Sequence, residues 1–319
     1  MYYPYLRARQ FELIALRELV QEDALQGRVT PIFEPVKKTF NNFDIAYKIF
    51  SENKQQAFII VNANVGELSD PTGHKQIADY ILSKSPDCSL FKPAFHYSDK
   101  PGLAAEILEM INSRNFSNCL LICKNDIDYE APIFNDLIND DRITAFNIDD
   151  PGRSRGLLRR LLSTRKALIR IDDLFETQPR NSEFLNIDEH RFSEEHLYYK
   201  REGFMGFSDF TVLPSGFSEG GSTPRAVVIH LTFKKENGEF WIRHFTSDTN
   251  DSIANVQGKF KEAAEKAINF CRDNNYSNSA ITELEEYFDT QHYPGLGTVK
   301  KISIKNHILL VSEYLRLNP

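Results

Sequence analysis

Acidic residues stand at the ends of three apolar runs in this 319-residue sequence. The run ITAFNI ends before Asp149, the run ALIRI ends before Asp172, and Glu34 follows TPIF. Carboxylate oxygens are the ligands that Mg²⁺ and Mn²⁺ prefer in proteins. We therefore predict that Glu34, Asp149 and Asp172 hold a divalent metal ion, Mg²⁺ or Mn²⁺, and that Asp149 and Asp172 are also catalytic residues.

Basic and amide residues occupy comparable positions on other apolar runs. Lysine and arginine can hold a phosphate group that a bound metal ion polarises. The predicted site is therefore one for a phosphorylated small molecule, with phosphoester hydrolysis as the reaction and Lys124 as a third catalytic residue. The predicted substrate-binding residues are Asn62, Lys92, Arg170 and His230.

These residues can act together only if the fold places the carboxyl ends of the apolar runs close to one another. Two buried strands joined by a helix predict a parallel crossover unit. Ligands bind at the carboxyl edge of such sheets. The same alternation recurs along the chain, and the candidate strands are 29–35, 57–63, 89–97, 119–124, 143–148, 167–171, 207–214 and 226–233.

Eight strands separated by helices predict an α/β fold of the (β/α)₈ TIM-like barrel type. Closure of such a barrel joins the first strand to the last. On this count, residues 29–33 should be hydrogen-bonded neighbours of residues 226–233. A doubly wound open sheet is the alternative architecture.

An added hairpin and a helical extension complete the predicted organisation. Asn237 and Gly238 lie between two apolar runs, which is a strong hairpin signal, and the hairpin is predicted over residues 226–245. It would place His230 and His244 on neighbouring strands, where they could form a pair. We predict a barrel with its hairpin over residues 1–252 and a helical extension packed on it over residues 253–319.

Composition limits the classes of partner. The formal net charge is −7 and the pI is about 5.7, which argues against binding to bulk nucleic acid or to an anionic membrane surface. The longest apolar runs fall short of the ~20 residues of a membrane span. The four cysteines include no CxxC pair, so we predict buried, reduced thiols and a cytoplasmic protein.

Several segments resemble the phage and bacterial beta-protein family. They are YYPYLRARQFELIALREL at the start of the chain, TPIFEP after it, FSDFTV, and the pair IHLTF and WIRHF. The resemblance implies a cytoplasmic protein associated with phages or mobile elements, with a role in antiviral defence or host takeover. It supplies no catalytic residue.

Two hypotheses of function follow, and the sequence leaves open whether the protein is an enzyme. In the first, the barrel mouth binds a phosphorylated ligand and a divalent metal ion. In the second, the protein is a non-catalytic interaction module of an anti-phage or phage-encoded system. That module would engage a protein partner through the hairpin and the C-terminal helices.

Overall fold

A computed structural model of the chain describes residues 1–219 and 225–319. It contains two compact units that do not follow the predicted boundary at residues 252 and 253. Unit 1 comprises Met1–Leu13, Gln26–Asp173 and Tyr198–Asp209, and unit 2 comprises Ile14–Leu25, Leu174–Leu197 and Phe210–Pro319. The predicted hairpin segment therefore belongs to unit 2.

Strands and helices alternate along the first two thirds of the chain. The strands are β1 (Tyr5–Leu6), β2 (Ile32–Phe33), β3 (Ala57–Ile60), β4 (Phe91–Tyr97), β5 (Cys119–Cys123), β6 (Ile143–Asp149), β7 (Ala167–Asp172), β8 (Glu189–Ser193), β9 (Gly206–Asp209), β10 (Val228–Lys234) and β11 (Phe240–Thr246). The helices are α1 (Gln10–Gln21), α2 (Asn41–Glu52), α3 (Pro71–Lys84), α4 (Leu103–Arg114), α5 (Pro132–Asn139), α6 (Arg155–Leu162), α7 (Glu195–Tyr198), α8 (Val256–Asp273), α9 (Ser279–Asp289) and α10 (Leu296–Leu317).

Unit 1 is a nearly closed parallel barrel, which confirms the predicted (β/α)₈ TIM-like class. Its eight strands lie in the order β1-β2-β3-β4-β5-β6-β7-β9, and all the neighbouring pairs are parallel. Parallel bridges from Tyr2 to Val29 and to Phe207 close the ring. The backbone bond from the Tyr3 amide to the Phe207 carbonyl, 2.9 Å long, lies at the same junction.

The predicted partners for closure were wrong. Residues 29–33 lie beside β1, a strand that sequence analysis missed, and β10 is not part of the barrel. Instead, β10 pairs antiparallel with β11, and β11 pairs antiparallel with β8. The two strands of a hairpin pair antiparallel, so a strand at 226–233 that begins a hairpin does not fit an all-parallel barrel. The missing strand is two residues long and follows Pro4, so it has no apolar run to reveal it.

Aromatic side chains identify the outer face of the barrel strands. Phe33 of β2 lies 5.6 Å from Phe43 of α2, between ring centroids, and Phe146 of β6 lies 6.5 Å from Phe134 of α5. Successive side chains of a strand point to opposite faces. The neighbours of these rings, Glu34 and Asn147 among them, therefore point into the barrel.

Unit 2 is built on a three-stranded antiparallel sheet covered by helices. Val227, Ile229 and Leu231 of one sheet face form a buried cluster with α8, α9 and α10. The helices predicted after residue 253 are present as these three. Lys301 and Lys305 of α10 are buried, and both bind Glu18 of the Ile14–Leu25 segment, each at 2.8 Å. The desolvation of the two ammonium groups is thus offset by paired charge.

The hairpin turn between β10 and β11 supports a first prediction. Gly238 has a φ of +90° and donates its amide to the carbonyl of Lys235 at 3.0 Å. This is the pattern of a three-residue hairpin loop with a glycine bulge. Gly238→Val should lower the free energy of unfolding by roughly 1 kcal/mol or more, because a β-branched residue disfavours positive φ. Urea unfolding would measure the loss.

Gly216→Val is the matched control for that substitution. A Cβ at Gly216 meets nothing within 4 Å, and Gly216 is not among the positive-φ glycines. The control should change stability by less than about 0.5 kcal/mol. Equal effects of the two substitutions would show that the turn does not depend on the left-handed conformation at Gly238.

Candidate functional site

The carboxyl ends of β1 to β6 bring polar side chains to the inner face of the barrel in unit 1. Alternation from Phe33 places Glu34 inside, and alternation from Phe95, which contacts Phe116 at 6.3 Å between ring centroids, places His96 inside. We refer to the set as the mouth cluster, and it consists of Tyr5, Arg7, Glu34, Asn62, His96, Lys124 and Asp149.

Glu34 is the centre of the mouth cluster. Its side chain has 0% exposure and forms an ion pair with Arg7. It also accepts hydrogen bonds from the Tyr5 hydroxyl at 2.5 Å and from the Asn64 amide at 2.7 Å. A buried carboxylate needs such donors to offset its desolvation. Glu34 is therefore committed to protein partners.

The hydrogen bonds of Tyr5 determine the tautomer of His96. Tyr5 gives its single proton to Glu34 and accepts from Arg7 at 3.1 Å, and its oxygen lies 3.0 Å from Nε2 of His96. The ring must therefore donate from Nε2, and Nδ1 is its remaining acceptor. Asn62 holds the backbone of His96 with two bonds, of 2.8 and 2.9 Å.

Burial and neighbouring cations keep His96 neutral. Desolvation is the largest cause, and the charges of Arg7 and Lys124 add to it, so that the pKa of His96 falls from 6.5 to about 3. Asp149 acts in the opposite direction. Burial likewise raises the pKa of Tyr5 above its usual value. Near neutral pH, the site thus combines an uncharged imidazole with two flanking cations.

Lys124 and Asp149 form the outer part of the mouth cluster. They follow β5 and end β6, and their charged groups lie 2.8 Å apart. The lysine side chain is 60% exposed and the aspartate side chain 33% exposed. Such an exposed pair contributes little to stability, so Lys124 can exchange Asp149 for a ligand at small cost.

The structure brings only part of the predicted site together. Asn62, Lys124, Asp149 and Glu34 lie in the mouth cluster, whereas Lys92, Arg170, Asp172 and His230 do not. Lys92 occupies the second position of β4, at the amino end of that strand, and donates to Gln56 at 2.8 Å. The sequence placed it at the mouth because a strand's apolar run does not mark which end a charged residue occupies.

Arg170 and Asp172 lie on the outer face of the barrel wall. The register pairs Asp149 with Ile171, and strand alternation therefore places Arg170 and Asp172 on the opposite face. Arg170 binds Asp172 at 2.8 Å and Glu202 at 2.6 Å. Burial is the main reason that the pKa of Asp172 is raised despite this pairing. The predicted phosphate-binding role of Arg170 does not fit this position.

The predicted metal ligands Glu34, Asp149 and Asp172 do not fit a shared ion. Glu34 is enclosed by Arg7, Tyr5 and the Asn64 amide, and Asp172 faces away from the barrel interior. Within residues 1–219 and 225–319, no three His, Cys, Asp or Glu side chains are grouped as a metal site requires. We therefore derive no reaction step through a metal ion.

His230 lies in unit 2, where it forms the predicted pair with His244. Their Nδ1 atoms are 2.7 Å apart across β10 and β11. The rings of Phe175 and Phe184 surround them. Burial lowers the pKa of His244 to about 3 and also holds the pKa of His230 well below its usual value of 6.5. Because β10 belongs to the three-stranded sheet, the prediction that His230 lies on a barrel strand is wrong.

Sequence analysis missed Tyr5 and Arg7 as site residues. Both belong to the opening block YYPYLRARQ, in which Tyr3, Tyr5 and Arg7 alternate with other residues and so share one face. This alternation is the sign in the sequence that a strand is present.

No protein-family model matches the chain, and no curated protein matches it. Among the residues that the structure describes, no helix is long and apolar enough to span a membrane.

The two aspartates at the ends of β6 and β7 support a second prediction. Asp172→Asn should lower the free energy of unfolding by about 1 kcal/mol, because Arg170, with 11% of its side chain exposed, loses one charged partner while Glu202 remains. Asp149→Asn should cost less than about 1 kcal/mol, since its pair is exposed. Neither Mg²⁺ nor Mn²⁺ should raise the melting temperature. If Mg²⁺ or Mn²⁺ raised the melting temperature of the wild type but not that of the double variant Asp149→Asn, Asp172→Asn, the two aspartates would share a metal ion after all.

The partly buried ring of His96 supports a prediction about acid stability. The unfolded chain binds a proton near pH 6.5, whereas the folded ring does so only near pH 3. Stability should therefore fall as the pH falls through this window, by up to about 1.4 kcal/mol per pH unit for one histidine. His96→Asn should flatten this slope in urea unfolding series, and His292→Asn, at an exposed position, should not. Parallel slopes for wild type and His96→Asn would contradict the assignment.

Proposed function

We propose that the mouth cluster of unit 1 binds a phosphorylated ligand and hydrolyses its phosphoester bond. The observation that carries the proposal is the presence of two cations, Arg7 and Lys124, near a neutral His96 at the carboxyl ends of parallel barrel strands. This is the end of a (β/α)₈ barrel at which active sites are found.

The two cations would have different roles in binding. Lys124 is exposed and its pair with Asp149 is weak, so its ammonium group can turn toward an incoming phosphate. Arg7 is held by the buried Glu34 and by Tyr5, so it supplies a fixed positive charge. The anion would offset the two charges that help to lower the pKa of His96, and binding would thus raise that pKa.

The tautomer of His96 indicates its part in the reaction. With Nε2 donating to Tyr5, Nδ1 can take a proton from a water molecule as the water oxygen forms a bond to phosphorus. The ester P–O bond then breaks, its electron pair stays on the departing oxygen, and that oxygen takes a proton from Lys124. Asn62 fixes the position of His96, and Asp149 orients Lys124.

The interaction module is the second hypothesis carried from the sequence, and no contact of the described residues specifies a partner for it. The association with phages and antiviral defence stays a prediction from the family resemblance.

Titration with inorganic phosphate and with a panel of phosphate monoesters tests the binding step. At a ligand concentration of 100 times Kd, the free energy of unfolding should rise by about 2.7 kcal/mol. Lys124→Met should weaken binding about tenfold or more, equivalent to about 1.4 kcal/mol. Isothermal calorimetry and thermal unfolding with the same ligands would measure both effects.

Lys75→Met is the matched control, because Lys75 is an exposed lysine of the same unit, on α3. It should bind phosphate as wild type does. Phosphate release from the bound monoesters should be lost in His96→Asn while binding persists. Absence of binding by the wild type would refute the proposal and favour the interaction module.

A further inference from the structure

One buried amide inside the barrel has no protein partner. Asn147 of β6 has 0% exposure, and among the described residues nothing forms a hydrogen bond with its Oδ1 or its Nδ2. Most buried amides in folded proteins are bonded at both atoms. A leucine, which is similar in size, would fill the same space and would leave no buried polar atom without a hydrogen bond. The amide therefore costs stability and calls for another explanation.

The position of Asn147 relates it to the mouth cluster. The register pairs His96 with Ile122, Ile122 with Asn147, and Asn147 with Ile169, so these four side chains form one row across neighbouring strands on the inner face of the barrel. Asp149, the partner of Lys124, follows two residues later on the same inner face. Asn147 thus lies two residues before the aspartate that binds Lys124, and it belongs to the same register row as His96.

We propose that Asn147 is a specificity-determining residue that receives a hydroxyl group of the ligand, and that the ligand is a small phosphorylated polyol or sugar. The inference rests on the proposed function of the mouth cluster. A hydroxyl can donate to Oδ1 and accept from Nδ2 at once, which satisfies both atoms of the amide. A residue that lowers stability and has no structural role is typical of a functional site.

The dimensions of the barrel favour a polyol phosphate over a nucleotide. Inward-facing residues two positions apart on one strand are about 6.6 Å apart, so a phosphate at Lys124, beside Asp149, and a hydroxyl at Asn147 require only a short carbon chain between them. The interior of an eight-stranded barrel is just wide enough to be filled by side chains. Ile122 and Ile169 flank Asn147 in its register row, so a small hydroxyl group suits this position better than a nucleobase.

The test compares two phosphate monoesters that differ in their hydroxyl groups. Wild type should bind glycerol phosphate about tenfold more tightly than methyl phosphate, and Asn147→Leu should remove this preference while it retains affinity for inorganic phosphate. Asn147→Leu should also be at least as stable as wild type in urea. Asn147→Ala adds no side-chain volume, and it serves for the affinity comparison if the leucine variant does not fold.

The outcomes separate this inference from the proposed function. Failure of the wild type to bind inorganic phosphate or any monoester would overturn both. Normal phosphate binding with an equal preference for glycerol phosphate in wild type and in the Asn147 variants would overturn the role of Asn147 alone, and would leave the amide to a buried water. Tighter binding of a nucleoside monophosphate than of glycerol phosphate would overturn the ligand class.

Discussion

A carboxylate with no exposure to solvent must be surrounded by donors, and three other segments of the chain surround Glu34. β1 supplies Tyr5 and Arg7, the loop after β3 supplies the Asn64 amide, and β4 brings the His96 ring to within 3.6 Å. These groups cannot move independently without leaving a buried charge unpaired. The inner face of the barrel is therefore organised before any ligand arrives.

This organisation has an electrostatic consequence for His96. A ring that donates to Tyr5 and lies beside two cations is held neutral over the physiological range. Neutral imidazole is the form that can accept a proton, although a pKa near 3 makes the ring a weak base in the free protein. An anionic ligand changes that balance, because it opposes the field of Arg7 and Lys124. The ring would therefore be a stronger base with the ligand bound than without it, while desolvation, the largest cause of its low pKa, would remain.

Much of the fold could be predicted from the sequence, because barrel strands buried on both faces appear as continuous apolar runs. β3 to β7 have this character, and so the barrel class and the ends of β5 and β6 were placed correctly. β1 has two residues and a proline before it, and no run to mark it. Its omission shifted the strand count by one, and the count of eight was completed with β10, a strand of the other unit.

The candidate site was harder to predict, because it depends on which face of a strand each residue occupies. Asp149 and Asp172 end similar runs, yet the register between β6 and β7 puts them on opposite faces. A sequence pattern shows alternation within one strand but does not show the offset between two strands. Asn147 was missed for a related reason, since a single polar residue within an apolar run reads as part of that run.

Closure of the barrel by its first strand has a consequence for how the chain folds. The hydroxyl of Tyr2 binds Asp209 across a separation of 207 residues, and the segment Leu174–Leu197, which belongs to the other unit, lies within that interval. During synthesis, β1 and β7 are both unpaired edges until β9 emerges. Contacts of such long range are slow to form, and open edges invite pairing with other chains. The nascent chain is therefore most prone to incorrect strand pairing after β7 has been synthesised and before β9 has been synthesised.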